Sequence, residues 1–175
     1  MTARVAWTKR TFCFDPQWEI YPELIERLRG TPARVRMLID GVNPSSMTKR
    51  IGDRWSIQEN IAHLADMDEI LWLPRIEQFE KGEDRLHAAD MTNRTTNAAD
   101  HNSKSTIEVL RRHEDARARM IAKLESLSHE TFGRVALHPR LNIQMRLTHH
   151  LTFVADHDDY HMAHISGLKR DANAK

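Results

Sequence analysis

Between His150 and Leu168 the positions that should face a core recur at helical spacing, and three of them are histidines. At about 100° per residue, His150, Val154, His157, His161, Ile165 and Leu168 share one narrow sector, whereas Thr152, Asp156, Asp159 and Ser166 point elsewhere. Such a stripe needs a partner surface, so this helix has to belong to a bundle. Within it, His157 and His161 stand one turn apart. Two neutral imidazoles on successive turns can reach a single zinc, nickel, iron or copper ion.

The spacing alone is a weak signal: in a chain of 175 residues with 11 histidines, roughly one His-x-x-x-His pair is expected by chance. Its coincidence with the apolar face is what singles it out, because a buried imidazole needs a partner for its polar atoms. His150 lies two turns before His157, about 10 Å along the axis, and cannot share the same ion. His164 follows His161 by three positions and is offset by about 60°, which suits a cavity wall or an orienting contact better than coordination.

The length corresponds to one domain, 1–175, with a core over about 31–168 and enough hydrophobic residues, 40%, to bury it. A net charge of +1 argues against a nucleic-acid surface. The longest apolar run, Ile70–Leu73, is far short of a membrane span. The first ten residues lack the continuous apolar segment of a secretion signal, so a cytoplasmic location is expected. Cys13 has no cysteine partner and reads as a small apolar residue of the N-terminal tail rather than a nucleophile.

Helical signals run along most of the chain. A first region spans Pro22 to Leu38, interrupted where Gly30-Thr31-Pro32 offers a stop, an N-cap and a helix-starting proline. Ser56 and Glu59 form a capping box for a second helix reaching Phe79, with Gly82 as its stop. The polar segment from Gly82 to Ser105 is long for a connection and reads as a lid, with donors in the Asn93–Asn97 run. A third helix runs from Thr106 to about Ser128, a connection from Phe132 to Asn142 follows, and a fourth helix spans Arg146 to Leu168. The expectation is an all-α four-helix bundle with an extra N-terminal segment and long loops.

Two histidines leave a metal site incomplete, so a third ligand should come from a facing helix. His63, at the border of the stripe made by Ile57, Ile61, Leu64 and Leu71, either fills that role or is a core histidine. Asp66 and Glu59 lie one turn away and can orient its ring. His87, His101, His129 and His149 read as solvated, His138 as marking the last loop, and Trp55 and Trp72 as core anchors. On the third helix, His113, Glu114 and Arg117 occupy an otherwise aliphatic sector. Arg117 either pairs internally with Asp66 or Glu114, or lines a pocket for a substrate carboxylate or phosphate.

The run Trp55-Ser-Ile-Gln-Glu-Asn-Ile-Ala-His63-Leu-Ala-Asp66, followed about ninety residues later by His157-Asp-Asp-Tyr-His161 and Ile165, resembles the DinB-like superfamily over most of the chain. The resemblance implies an up-down-down-up bundle, a divalent metal held by His63, His157 and His161, and a homodimer. His164 departs from the pattern, which often has glutamine there. Some members look like thiol S-transferases or thiol-dependent isomerases. The expected function is therefore that of a divalent-metal-dependent enzyme (zinc, nickel, iron or manganese) acting on a small molecule, with transfer from a low-molecular-weight thiol as one chemistry and hydrolysis as another. The alternative from a different class is a non-enzymatic, metal-stabilised bundle that binds a small ligand.

Overall fold

The computed structural model describes residues 5–14 and 17–173. Four helical rods make the bundle. The first is α1 (Tyr21–Arg29) followed by α2 (Thr31–Ile39), each opened by a proline at its first turn. Gly30 breaks them as the sequence suggests, but Thr31 is the first residue of α2 rather than its cap, and its hydroxyl donates to Asp158 (2.9 Å). After the short α3 (Pro44–Met47), the second rod is α4 (Ile57–Met67), a π-helical turn over Asp68–Trp72, and α5 (Leu73–Lys81). Ser56 and Glu59 form both halves of the expected capping box, and Gly82, at φ 72°, ends α5 in the left-handed region. The π turn has a visible cause: Pro74 has no N–H to give to the turn before it, and the wider turn relieves its ring against that carbonyl.

The loop over 83–105 holds a short α6 (Arg94–Ala98). The third rod, α7 (Thr106–Glu125), starts on a second capping box, Ser105 with Glu108. The connection expected between the last two rods instead contains a hairpin, β1 (Val135–His138) with β2 (Ile143–Arg146), in the register Val135 opposite Arg146 and His138 opposite Ile143. Four-residue strands joined through the turn 139–142 carry too little alternation to be read from sequence. The fourth rod is α8 (Leu147–Asn173).

Cross-rod pairs give the direction of each rod. Gln58 bonds Thr106 and Lys123 pairs with Glu80, so the second and third rods run parallel. Asn60 meets His161 while Phe79 meets His150, so the second and fourth run antiparallel. Arg27 pairs with Asp156 and Lys169 caps the carbonyl of Leu38, so the first and fourth run parallel. The course is up-down-down-up. One apolar cluster gathers Leu28, Trp72, Ile76, Phe79, Met120, Leu124, Phe132 and Leu151 at one end. A second gathers Val35, Ile57, Ile61, Leu64, Val109, Ile165 and Leu168 at the other. The polar groups described below lie between them. No helix among the described residues is long and apolar enough to cross a membrane.

Candidate metal centre and its cavity

The second and fourth rods bring His63, His157 and His161 together. Their rings are 4.5 to 5.3 Å apart between centroids, and one donor nitrogen from each lies within 4.8 Å of the others. All three are buried. Burial is also what keeps them neutral, holding His157 down at about 4 and His63 and His161 well below the ordinary imidazole value, with neighbouring histidines adding to the effect at His63 and His161. Neutral imidazole is the form that coordinates metal.

The surroundings fix two of the tautomers. The Asn60 amide donates to the carbonyl of Ser56 (2.8 Å), which turns its oxygen to His161, so the Nδ1–H of His161 donates to Asn60 Oδ1 (2.9 Å) and its Nε2 is left bare. The Thr96 hydroxyl donates to Asp66 Oδ2 (2.6 Å), so it accepts from the Nδ1–H of His63 (3.0 Å), whose Nε2 is bare in turn. His157 keeps a buried Nδ1 with no hydrogen-bond partner among the described residues. Two bare nitrogens and an orphaned one, on neutral rings gathered this closely, fit a metal ion of the transition series.

Asp66 is the hub behind His63. Besides Thr96 it binds His101 Nε2 (3.0 Å) and pairs with Arg112 (2.7 Å). His101, read from sequence as solvated, is therefore buried and ties the 83–105 loop to α4. The same loop supplies Thr96, hydrogen-bonds the Trp55 indole through Asn97 (2.9 Å), and places Asp90, Met91 and Asn93 on the wall of a cavity of about 360 Å³ beside the histidines. The loop thus packs over the site as its length suggests.

Of the other expected site residues, His164 is half-buried on the cavity wall against Tyr160 (4.5 Å), outside the three-histidine group. Arg117 is not on the cavity. It is fully enclosed between Asp68 and Asp158, with 2.6–3.1 Å bonds to both carboxylates and one to the carbonyl of Leu28 (3.0 Å). Its partners are neither Asp66 nor Glu114, the latter being bound to Arg36. Trp72 is a core residue that also forms cavity wall, and Trp55 lies over His63 at 4.7 Å rather than anchoring the core.

Several wall residues have little sequence signal. Trp7, in the tail, packs on Phe153 (4.9 Å) and on His157 (5.2 Å), roofing the cavity. Nothing in its local sequence indicates that contact. Arg75 could have been found, since it sits four residues from both Leu71 and Phe79 on the apolar stripe, where an arginine is anomalous. His138 lies on β1, buried, 3.2 Å from Arg75.

A sequence model of the DinB superfamily matches residues 27–165, and the chain belongs to that family. No curated protein matches it in sequence. Among solved structures it is similar to YfiT from Bacillus subtilis, described as a probable metal-dependent hydrolase with an unusual four-helix bundle topology, at a TM-score of 0.75 and 21% identity over 93% of this chain and 92% of that one. It is also similar to a mycothiol-dependent maleylpyruvate isomerase, at a TM-score of 0.65 and 15% identity over 81% of this chain and 59% of that one.

Proposed function

We propose that the chain is a divalent-metal-dependent enzyme in which His63, His157 and His161 hold the ion and the sulfur of a low-molecular-weight thiol displaces a leaving group from an electrophilic carbon in the adjoining cavity, the thiol proton departing with the displaced group. The observation that carries this reading is the group of three neutral imidazoles bordering an aromatic-walled cavity. A divalent ion there would supply the charge that acidifies a thiol or a water at neutral pH. The protein's own groups do the rest. Asn60 and Thr96 orient two rings, and Trp7, Trp72 and Phe153 present apolar wall to the reacting space.

A thiol suits this wall better than water does. The carboxylates bordering the cavity, Asp53 and Asp90, are exposed, and Asp90 spends its oxygens on Thr92 and the amide of Arg94. Neither is placed as a base for water, whereas a thiol, with an ordinary pKa near 8.5, needs little help to ionise. Similarity to a thiol-dependent isomerase supports the reading. Hydrolysis in the same cavity is the second reading, favoured by the higher similarity to YfiT.

The test is elemental analysis of protein purified without a metal-affinity step, then cobalt substitution and titration with cysteine and glutathione. Sulfur-to-cobalt charge-transfer bands and thiol-dependent consumption of an electrophile are expected. Turnover of a nitrophenyl ester without thiol, with no spectral response, would replace transfer by hydrolysis.

A further inference from the structure

Away from the histidines, the cavity wall carries two arginines that the protein leaves without a counter-charge. Arg75 is 1% exposed. Its guanidinium donates to the carbonyl of His87 (2.8 and 3.1 Å) and lies 3.2 Å from His138 Nε2, which carries the ring proton because Nδ1 accepts from the Leu141 amide (3.2 Å), so that neighbour is neutral and gives Arg75 no acceptor. Arg140 is half-buried; one of its nitrogens reaches the carbonyl of Thr8 (3.4 Å), and another, Nη2, is buried with no partner. Neither arginine has a carboxylate within ion-pairing distance among the described residues. The contrast with Arg117, equally buried and given two aspartates, is sharp.

The two cations are near enough to act on each other. Burial first, then Arg140, brings Arg75 down to about 10, and burial followed by both arginines brings His138 to about 4. Arg75 thus remains charged at neutral pH while His138 is neutral. Trp72, on the same wall, adds a buried indole N–H with no acceptor. It also links the two halves of the cavity: its ring lies 5.4 Å from that of His157 and 5.8 Å from the Arg75 guanidinium. Phe153 has the Arg140 guanidinium 5.6 Å from its ring and packs against Trp7. The carboxylates on the cavity border, Asp53 and Asp90, pair with neither arginine, and what lies beside the two guanidinia is apolar wall.

We infer that Arg75 and Arg140 form an oxyanion subsite that receives the carboxylate of a small, partly apolar substrate and holds the rest of that molecule toward His63, His157 and His161. A planar carboxylate matches the fork of a guanidinium, and a compact apolar body fits against Trp7, Trp72 and Phe153. The inference rests on the proposed function for the chemistry at the histidines, but not for the binding itself, because the arginines and their surroundings need no metal.

The test is therefore made on chelator-treated, metal-free protein, with benzoate as the probe, its neutral isostere benzamide and its phosphoryl analogue phenyl phosphate, followed by tryptophan fluorescence. Benzoate should bind at least tenfold more tightly than benzamide. Arg140→Gln should reduce that preference several-fold, Arg75 remaining charged, with helicity unchanged. Arg140 is the better target because Arg75→Met also strips two bonds from the His87 carbonyl and is informative only in a variant that folds. Equal binding of benzoate and benzamide, or an unchanged preference in Arg140→Gln, overturns the subsite. Phenyl phosphate binding ten times more tightly than benzoate overturns the carboxylate assignment. Zinc uptake by the same preparations is read separately, so loss of metal binding with an intact carboxylate preference would reject the metal reading and keep this one.

Discussion

The Nδ1–H of His161 donates to Asn60 Oδ1 across 2.9 Å, joining α8 to α4 one turn before His63. Asn60 cannot turn its amide over without losing its 2.8 Å bond to the Ser56 carbonyl, at the cap of α4. The capping box and the imidazole orientation are thus one connected unit. Outer partners of this kind are commonly worth 10- to 100-fold in metal affinity.

Asn60→Ala should accordingly weaken zinc affinity by about 10- to 100-fold while His161 itself is unchanged. Competition with a chromophoric chelator measures it. Asn60→Asp, which still accepts from Nδ1–H, should retain most of the affinity, and an alanine variant that binds zinc like the parent would show that the bond does not orient the ring.

A second prediction concerns Thr96, which passes the orienting role from Asp66 to His63. Thr96→Val keeps the shape, takes one of two donors from Asp66 Oδ2, which retains His101, and leaves the His63 N–H buried without an acceptor, a cost of about 1–3 kcal/mol for that orphaned group. Stability should fall by that order and zinc affinity should fall with it. Urea unfolding with and without zinc separates the two, since loss of affinity widens the gap between parent and variant only when metal is present.

The legible part of the fold was whatever repeats locally. The Ser56–Glu59 capping box, the Gly30 break, the Gly82 stop and the stripes of α4 and α8 are short-range signals, and the structure realises each of them. His63 was harder, because its place at the edge of the stripe allowed a core role, and only the fold puts it 4.7 Å from His161. Illegible were the contacts between segments far apart in sequence: Trp7 on His157, His101 on Asp66, and Asp68 and Asp158 closing on Arg117.

The Arg117 cluster gives a third prediction. Burial opposes charge here: it pushes Asp68 up to about 6 against the pull of Arg117, while Arg117 holds Asp158 below the usual carboxylate value. Arg117→Met leaves two carboxylates enclosed without a cation and should cost about 3–5 kcal/mol. Replacing Arg117, Asp68 and Asp158 together by apolar residues of similar volume should recover most of that loss. Chemical denaturation of the single and triple variants decides it. A single variant that unfolds at the parent's denaturant midpoint would deny the cluster its structural role.

The fourth prediction is the pH dependence of metal-free stability. His63, His113, His138, His150, His157 and His161 are all buried, and burial is the leading cause of depression in each, with His113 at about 3, His138 and His157 at about 4 and the others well below the ordinary value. Above about pH 6.5 these groups are neutral whether the chain is folded or not, and they contribute no slope. Below it the unfolded chain takes up protons that the folded one refuses, so the unfolded state binds more protons and stability falls as pH falls. The loss should accumulate from about pH 6.5 down to about 4, where His157 and His138 begin to protonate in the fold as well. For a single imidazole shifted as far as His157 it is about 3 kcal/mol over that window. Asp68 works in the opposite direction, losing stability as pH rises through the interval between its ordinary value and about 6, but it is one group against six. Denaturant midpoints of chelator-treated protein should therefore drop steeply from pH 7 to pH 4.5. The His150→Phe variant, which fills a site between Trp72, Phe79 and Phe153 without an ionisable group, should show a shallower drop. A flat profile, or one as steep in that variant as in the parent, would mean that the buried rings are already charged or solvated in the folded protein, contrary to their enclosure.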